Sequence, residues 1–174
     1  KALEKDYTNF FLYQMKGEIL EHDNQKLVAE SFYQKAKELS GQWVKPIFSQ
    51  AMINAKLNDA NKAYQLFADA LKINKQHKNS IFGVGILEAS RGQQEKAISL
   101  LTKGLDLEGK VDKNIESQGI ESLVEIYLIK GDKKKAIELA NLNLSKNPSK
   151  KSAIHLCDRL GGCDKSVVKS AKPG

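Results

Sequence analysis

Small and apolar side chains recur along this sequence at a fixed interval, most plainly at Ala29, Ala63 and Ala97, which stand 34 residues apart. Four residues after each comes a large apolar side chain (Tyr33, Phe67, Leu101), and seven after comes a small one (Ala36, Ala70, Gly104). Offsets of four and seven place all three on one face of a helix. Twelve residues ahead of each alanine stands another small residue, Gly17, Ala51 and Gly85, where a second helix can approach closely. The pattern therefore predicts pairs of packed helices, repeated.

A fourth copy follows after five extra residues, carrying Ala136, Ala140, Asn143 and Leu144, with Pro148 where a helix must stop. The insertion falls within 108–118. Between the two helices of every copy sits a residue that tolerates the left-handed conformation of a helix end: Asn24, Asn58, Gly92 and Gly131, spaced 34, 34 and 39. The first helix of each pair, helix A, is expected at about 10–22, 44–57, 78–91 and 115–130, and the second, helix B, at about 26–39, 60–73, 94–107 and 133–146. Gly41 is read as the stop of the first B helix, and Pro46 fits the first turn of the next A helix. Ile154 lies 34 beyond Ile120, and Ala153, Cys157 and Leu160 share a face, so 149–160 reads as a capping helix ended by Gly161-Gly162.

This pattern resembles the tetratricopeptide repeat, whose consensus runs from an aromatic through Leu-Gly and Tyr to Ala-x3-Phe-x2-Ala and a late Pro. The resemblance covers residues about 10–148, with Tyr13, Ile47, Ile81 and Ile120 at the early apolar place and Gly17, Ala51, Gly85 and Val124 at the glycine. Lys16 and Gln50 replace the usual Leu, Asn54 and Glu88 the usual Tyr, and only the last repeat keeps its Pro. The resemblance implies an all-α, right-handed superhelical solenoid of about four helix pairs plus the cap. Its repeats are 10–43, 44–77, 78–114 and 115–148 within a single domain 1–163, followed by a basic tail over 164–174 that is expected to be flexible.

Composition narrows the function. Hydrophobic residues make up 41%, ordinary for a globular chain, and no run of about 18 apolar residues could cross a bilayer, so membrane insertion is not expected. The net charge of +7 is carried almost wholly by Lys, with Arg91 and Arg159 the sole arginines, which argues against nucleic-acid recognition through the planar Arg fork. His22, His77 and His155 fall in different repeats, and neither a His-x3-His or Cys-x2-Cys pair nor a phosphate-cradling Gly loop is present. The sequence thus predicts no enzyme, no cofactor and no metal site.

The resemblance implies that the A helices line a concave surface. In this sequence that surface comprises Gln14, Phe48, Phe82 and Glu121; then Glu18, Met52, Ile86 and Glu125; and, a turn away, Phe11, Ala55, Ala89 and Leu128. Such a groove is apolar in the middle and acidic at each end, suited to a protein or peptide with basic flanks. The alternative is that Phe48, Phe82, Met52 and Ile86 are core residues. The chaperone-tail branch of the family uses Lys and Asn where Gln14, Glu18 and Ser49 stand, so carboxylate clamping is not expected. The function expected is a scaffold or adaptor within a larger, plausibly bacterial, assembly. The other readings are a self-associating solenoid forming a homodimer and, less favoured, an RNA-binding helical repeat. Cys157 and Cys163 either stay apart, with Cys157 a buried thiol, or form a disulfide. The first, which we favour, fits the cytoplasm and the second an oxidising compartment such as a periplasm.

Overall fold

The computed structural model describes residues 2–40, 43–164 and 166, without the side chains of 2–8. Among these residues the chain forms nine helices and no strand: α1 (Ala2–His22), α2 (Lys26–Ser40), α3 (Val44–Lys56), α4 (Ala60–Ile73), α5 (Lys78–Ser90), α6 (Gln94–Asp106), α7 (Lys113–Ile129), α8 (Lys133–Lys146) and α9 (Lys151–Leu160). The expected A and B helices are all present, in order. Helix α1 starts well before the expected residue 10, because Ala, Leu, Glu and Lys over 2–5 are strong helix formers with no breaker among them. The expected stop at Gly41 and most of the tail lie outside the described residues.

The helices are punctuated as the repeat demands. Asn24, Asn58, Gly92 and Gly131 adopt positive φ of 61°, 64°, 74° and 79°. The residue after each donates its backbone N–H five residues back, Gln25 to Leu20, Asp59 to Asn54, Gln93 to Glu88 and Asp132 to Tyr127, at 2.8–2.9 Å. That bond satisfies a carbonyl the ending helix leaves open. Asp59 and Asp132 stand in the same register and cap α4 and α8, accepting from the N–H of Lys62 and Lys135 at 3.0 and 2.9 Å. The five inserted residues are absorbed in the loop 107–112 and in the longer α7, which Asp112 caps.

The chain forms two compact units, residues 1–84 and 85–174, divided within α5. In the first, α1 packs on α2, α2 on α3 and α3 on α4. Its core is built from Phe10, Ala29, Tyr33, Ala51, Ile53, Ala63 and Phe67, all at most 3% exposed. The small residue at Gly17 is required by packing, since a Cβ there would lie 2.6 Å from the Tyr33 ring. In the second unit, α6 packs on α7, α7 on α8 and α8 on α9 around Ala97, Leu101, Ile120, Val124, Ala136, Ala140 and Leu144. Gly85 there repeats the role of Gly17, its place for a Cβ lying 2.7 Å from Leu101. Every alanine of the 34-residue register is 0% exposed, as its role in close helix packing requires.

Candidate interaction surface

In the first unit, the helix A columns divide between interior and surface. Phe11 is exposed, Phe48, Met52 and Ala55 are half-buried, and Glu18 faces solvent. Gln14 and Phe82, placed on the concave surface by the sequence, are instead 1% and 0% exposed, so neither offers surface to a partner. Gln14 is buried because its amide N–H groups reach Ser49 Oγ at 2.8 Å and Glu18 Oε1 at 2.9 Å. Phe48 packs against Phe67 and, edge-on, against the His77 ring, with centroids 5.9 and 5.4 Å apart. His77 Nδ1 lies 2.7 Å from Ser80 Oγ, and burial pushes its pKa below the ordinary 6.5.

The acidic character expected at this end of the surface is largely neutralised. Lys45 meets Glu18 at 3.0 Å; burial alone would raise the Glu18 pKa, but hydrogen bonds from Gln14 and Lys45 hold it below 4.5. Behind it runs a polar network between α2, α3 and α4. Gln50, fully buried, donates to Glu30 at 3.0 Å and to Gln34, Asn54 donates to the Gln50 carbonyl at 2.8 Å, and Lys62 reaches Glu30 at 2.8 Å. Burial again pushes Glu30 upward, and Lys62 with Gln50 outweighs it and keeps the carboxylate below its usual range. The sequence signalled this network only as departures from the repeat consensus at Gln50 and Asn54. A buried amide stands there where consensus would place an apolar side chain.

In the second unit, Ile86, Ala89 and Leu128 are half-buried, as is Glu121, while Glu125 is exposed. Glu121 accepts from Ser117 Oγ at 3.1 Å and from Ser152 Oγ of the cap at 2.8 Å, and Glu125 is paired with Arg159. Arg159 lies 34 residues beyond Glu125, so the pairing follows the repeat interval itself. Helices α7 and α9 thereby enclose a cleft of about 390 Å³, with Glu121 and Glu125 on one wall and Lys151, His155 and Arg159 on the other. The acidic end expected from sequence is a mixed-charge cleft, because the cap supplies the cations.

The cap is fixed at its far end as well. Cys157 and Cys163 are paired as a disulfide with Cα atoms 5.3 Å apart, contrary to the favoured reading of separate thiols, and Cys157 is buried all the same. The left-handed Gly161, φ 70°, turns the chain so that both sulfurs meet. Asp164 N–H then donates to Asn141 Oδ1 on α8 at 2.9 Å. Among the described residues, no cluster of three His, Cys, Asp or Glu could hold a metal ion, and no helix is long and apolar enough to cross a membrane.

No family model matches the chain, and no curated protein does. Solved structures match it well in shape. The structure of Pseudomonas aeruginosa pilF is similar with a TM-score of 0.74 at 16% identity over 92% of this chain and 69% of that one. MamA from Desulfovibrio magneticus RS-1 is similar at 0.68 and 14% over 87% and 83%. Cut9, from the APC/C hetero-tetramer Cut9–Hcn1, is similar at 0.72 and 20%, and there the chain spans 29% of the longer protein. These neighbours are tetratricopeptide-repeat proteins. With paired helices at a 34-residue interval, left-handed residues between them, small residues at each close contact and this likeness in shape, the chain has the all-α tetratricopeptide-repeat fold.

Proposed function

We propose that this chain is a non-enzymatic scaffold or adaptor that binds a protein segment along the inner faces of its A helices. Phe11, Phe48 and Met52 would serve in the first unit and Ile86 and Leu128 in the second, with Glu18, Glu121 and Glu125 contributing polar contacts. The observation that carries the reading is that Met52 and Ile86, 34 residues apart in one register, keep partly exposed apolar side chains on helices whose other apolar positions are mostly buried. Met and aromatic anchors of this kind supply affinity without a fixed sequence requirement. Gln14 and Phe82 serve beneath them as buried supports rather than contacts. The Cut9–Hcn1 hetero-tetramer offers an example of this fold within an assembly of more than one protein. The paired Cys157 and Cys163 favour an oxidising compartment, such as a bacterial periplasm, over the cytoplasm.

Photo-cross-linking from position 52 or 86 in cell extract, followed by mass spectrometry, is the test. One partner is expected at both positions, and Met52→Glu or Ile86→Glu is expected to weaken its capture about tenfold or more, the loss of one apolar anchor. Undiminished capture by both variants, with helicity intact, would overturn the proposal.

A further inference from the structure

The repeat register carries α2, α3 and α4 of the first unit onto α6, α7 and α8 of the second, so the two interiors compare residue by residue. Glu30, Gln34, Gln50, Asn54 and Lys62 have Ile98, Thr102, Leu123, Tyr127 and Lys135 as counterparts. In the first unit these side chains close the junction of the three helices. Gln50 and Asn54 are 0% and 3% exposed, and the Glu30 carboxylate accepts from Gln50 at 3.0 Å, from Asn54 at 3.5 Å and from Lys62 at 2.8 Å. One carboxylate thus satisfies donors converging from α3 and α4.

In the second unit that carboxylate is gone, because Ile98 stands in its place, and the junction is hollow. A cavity of about 320 Å³ lies among α6, α7 and α8, over Leu105, Leu123, Leu139 and Leu142. A second, of about 590 Å³, runs along α6 from Ile98 to Leu107, and Thr102, Asp106 and Tyr127 line both. Helices of the chain bound the hollow on either side, so it is not an end face of the array. The inserted loop 107–112 leaves from its mouth at Asp106 and Leu107, and insertions in repeat arrays often serve binding. Two donors of the first-unit network keep their counterparts here. The Tyr127 hydroxyl, in the place of the Asn54 amide, has no hydrogen-bond partner among the described residues. Lys135, in the place of Lys62, meets only the exposed Glu138, at 3.2 Å, a surface contact of little worth.

We propose that this hollow binds a small amphiphilic carboxylate of the medium-chain fatty acid type. Its head group would lie between Tyr127 Oη and Lys135 Nζ, as the Glu30 carboxylate lies between Asn54 and Lys62, and its apolar body over the four leucines. Charge favours an anion: Lys146 is engaged by the buried Glu116 at 2.9 Å, which leaves Lys103 and Lys135 against the single acid Asp106. Shape favours a slender molecule over a protein helix, since the floor residues Leu123 and Leu139 are 1% and 7% exposed and a helix would meet only the rim. The volume falls in the range of small-molecule sites, about 300–1,000 Å³.

The probe is sodium decanoate, titrated into the full chain below its micelle concentration and followed by calorimetry, with amide hydrogen exchange locating the site. Saturable binding of one molecule per chain is expected, with protection confined to α6, α7 and α8. Lys135→Gln is expected to weaken it about tenfold, the loss of one charge-assisted contact. Ile98→Glu, which supplies from the chain the carboxylate that Glu30 supplies in the first unit, is expected to abolish it. Circular dichroism checks each fold, and should Ile98→Glu unfold, Thr102→Phe, which fills the hollow from the exposed wall of α6, is expected to block decanoate instead. Decyltrimethylammonium, of the same chain length and opposite charge, is expected not to bind. Absence of saturable decanoate binding would overturn the proposal, as would equal binding of the cationic amphiphile, protection lying outside these three helices, or undiminished binding by the folded variants.

Discussion

At the scale of single residues, the polar side chains of this fold do as much positioning as the apolar ones. Tyr33 fills the space that Gly17 leaves and donates its hydroxyl to Glu21 at 2.7 Å, and burial together with that carboxylate drives its pKa upward. His77 sits neutral beneath Phe48, with its pKa depressed by burial. A depressed histidine pKa means that the unfolded chain binds the extra proton first, so this contribution to stability is fully present above about pH 6.5 and is lost as pH falls below it. Thermal melts are therefore expected to show a declining midpoint between pH 7 and 5 that flattens in His77→Asn. An identical slope in both proteins would show that the group does not titrate on unfolding.

At the scale of elements, the caps and turns set where each helix ends, and the last helix depends on more than its own sequence. Helix α9 has only 10 residues, too few to persist in isolation, and no side chain caps its N-terminus. Its apolar side, Ala153, Leu156, Cys157 and Leu160, is buried, and the Cys157–Cys163 bond closes a short loop behind it. For a loop of that length the chain-entropy account gives about 2 kcal/mol of stabilisation. Reduction is therefore expected to raise amide exchange in α9 and in the turn beyond it while leaving the helices of residues 1–84 unchanged. Equal exchange in the oxidised and reduced proteins would show that packing alone holds the cap.

At the scale of the whole molecule, stability in an array of repeats is a sum over pairs and their immediate neighbours rather than one cooperative core. Gly17→Val would force a side chain into the Tyr33 ring and is expected to cost about 1–3 kcal/mol. The loss should be local, with exchange rising in α1 and α2 while amides of α7 and α8 keep their protection. A uniform loss across all helices would indicate a single cooperative unit instead. The charge of +7 acts at this scale too: weak retention on nucleic acid is expected at low salt and is expected to vanish by about 0.3 M, since Lys-dominated contacts are counterion-sensitive.

The repeat interval was legible in the sequence because the packing of two helices restricts side-chain size at fixed places. Gly17, Ala51 and Gly85, with the alanines at 29, 63 and 97, record those contacts directly, and Asn58 or Gly131 record a backbone conformation that few residues adopt. Helix order, the helix limits apart from the start of α1, and the fold class followed from them. Periodicity also fixed which residues share a face, but whether a face is covered depends on what packs against it. Gln14 and Phe82 stand in the same column as Phe48, yet both are buried while Phe48 is half-buried. The neutralisation of Glu18 by Lys45 and of Glu125 by Arg159 joins helices distant in sequence, and the pairing of the two cysteines required the turn at Gly161. Local sequence thus determined the helices and their repeating contacts, and tertiary structure decided exposure, charge pairing and the cap, because those depend on which distant surfaces meet.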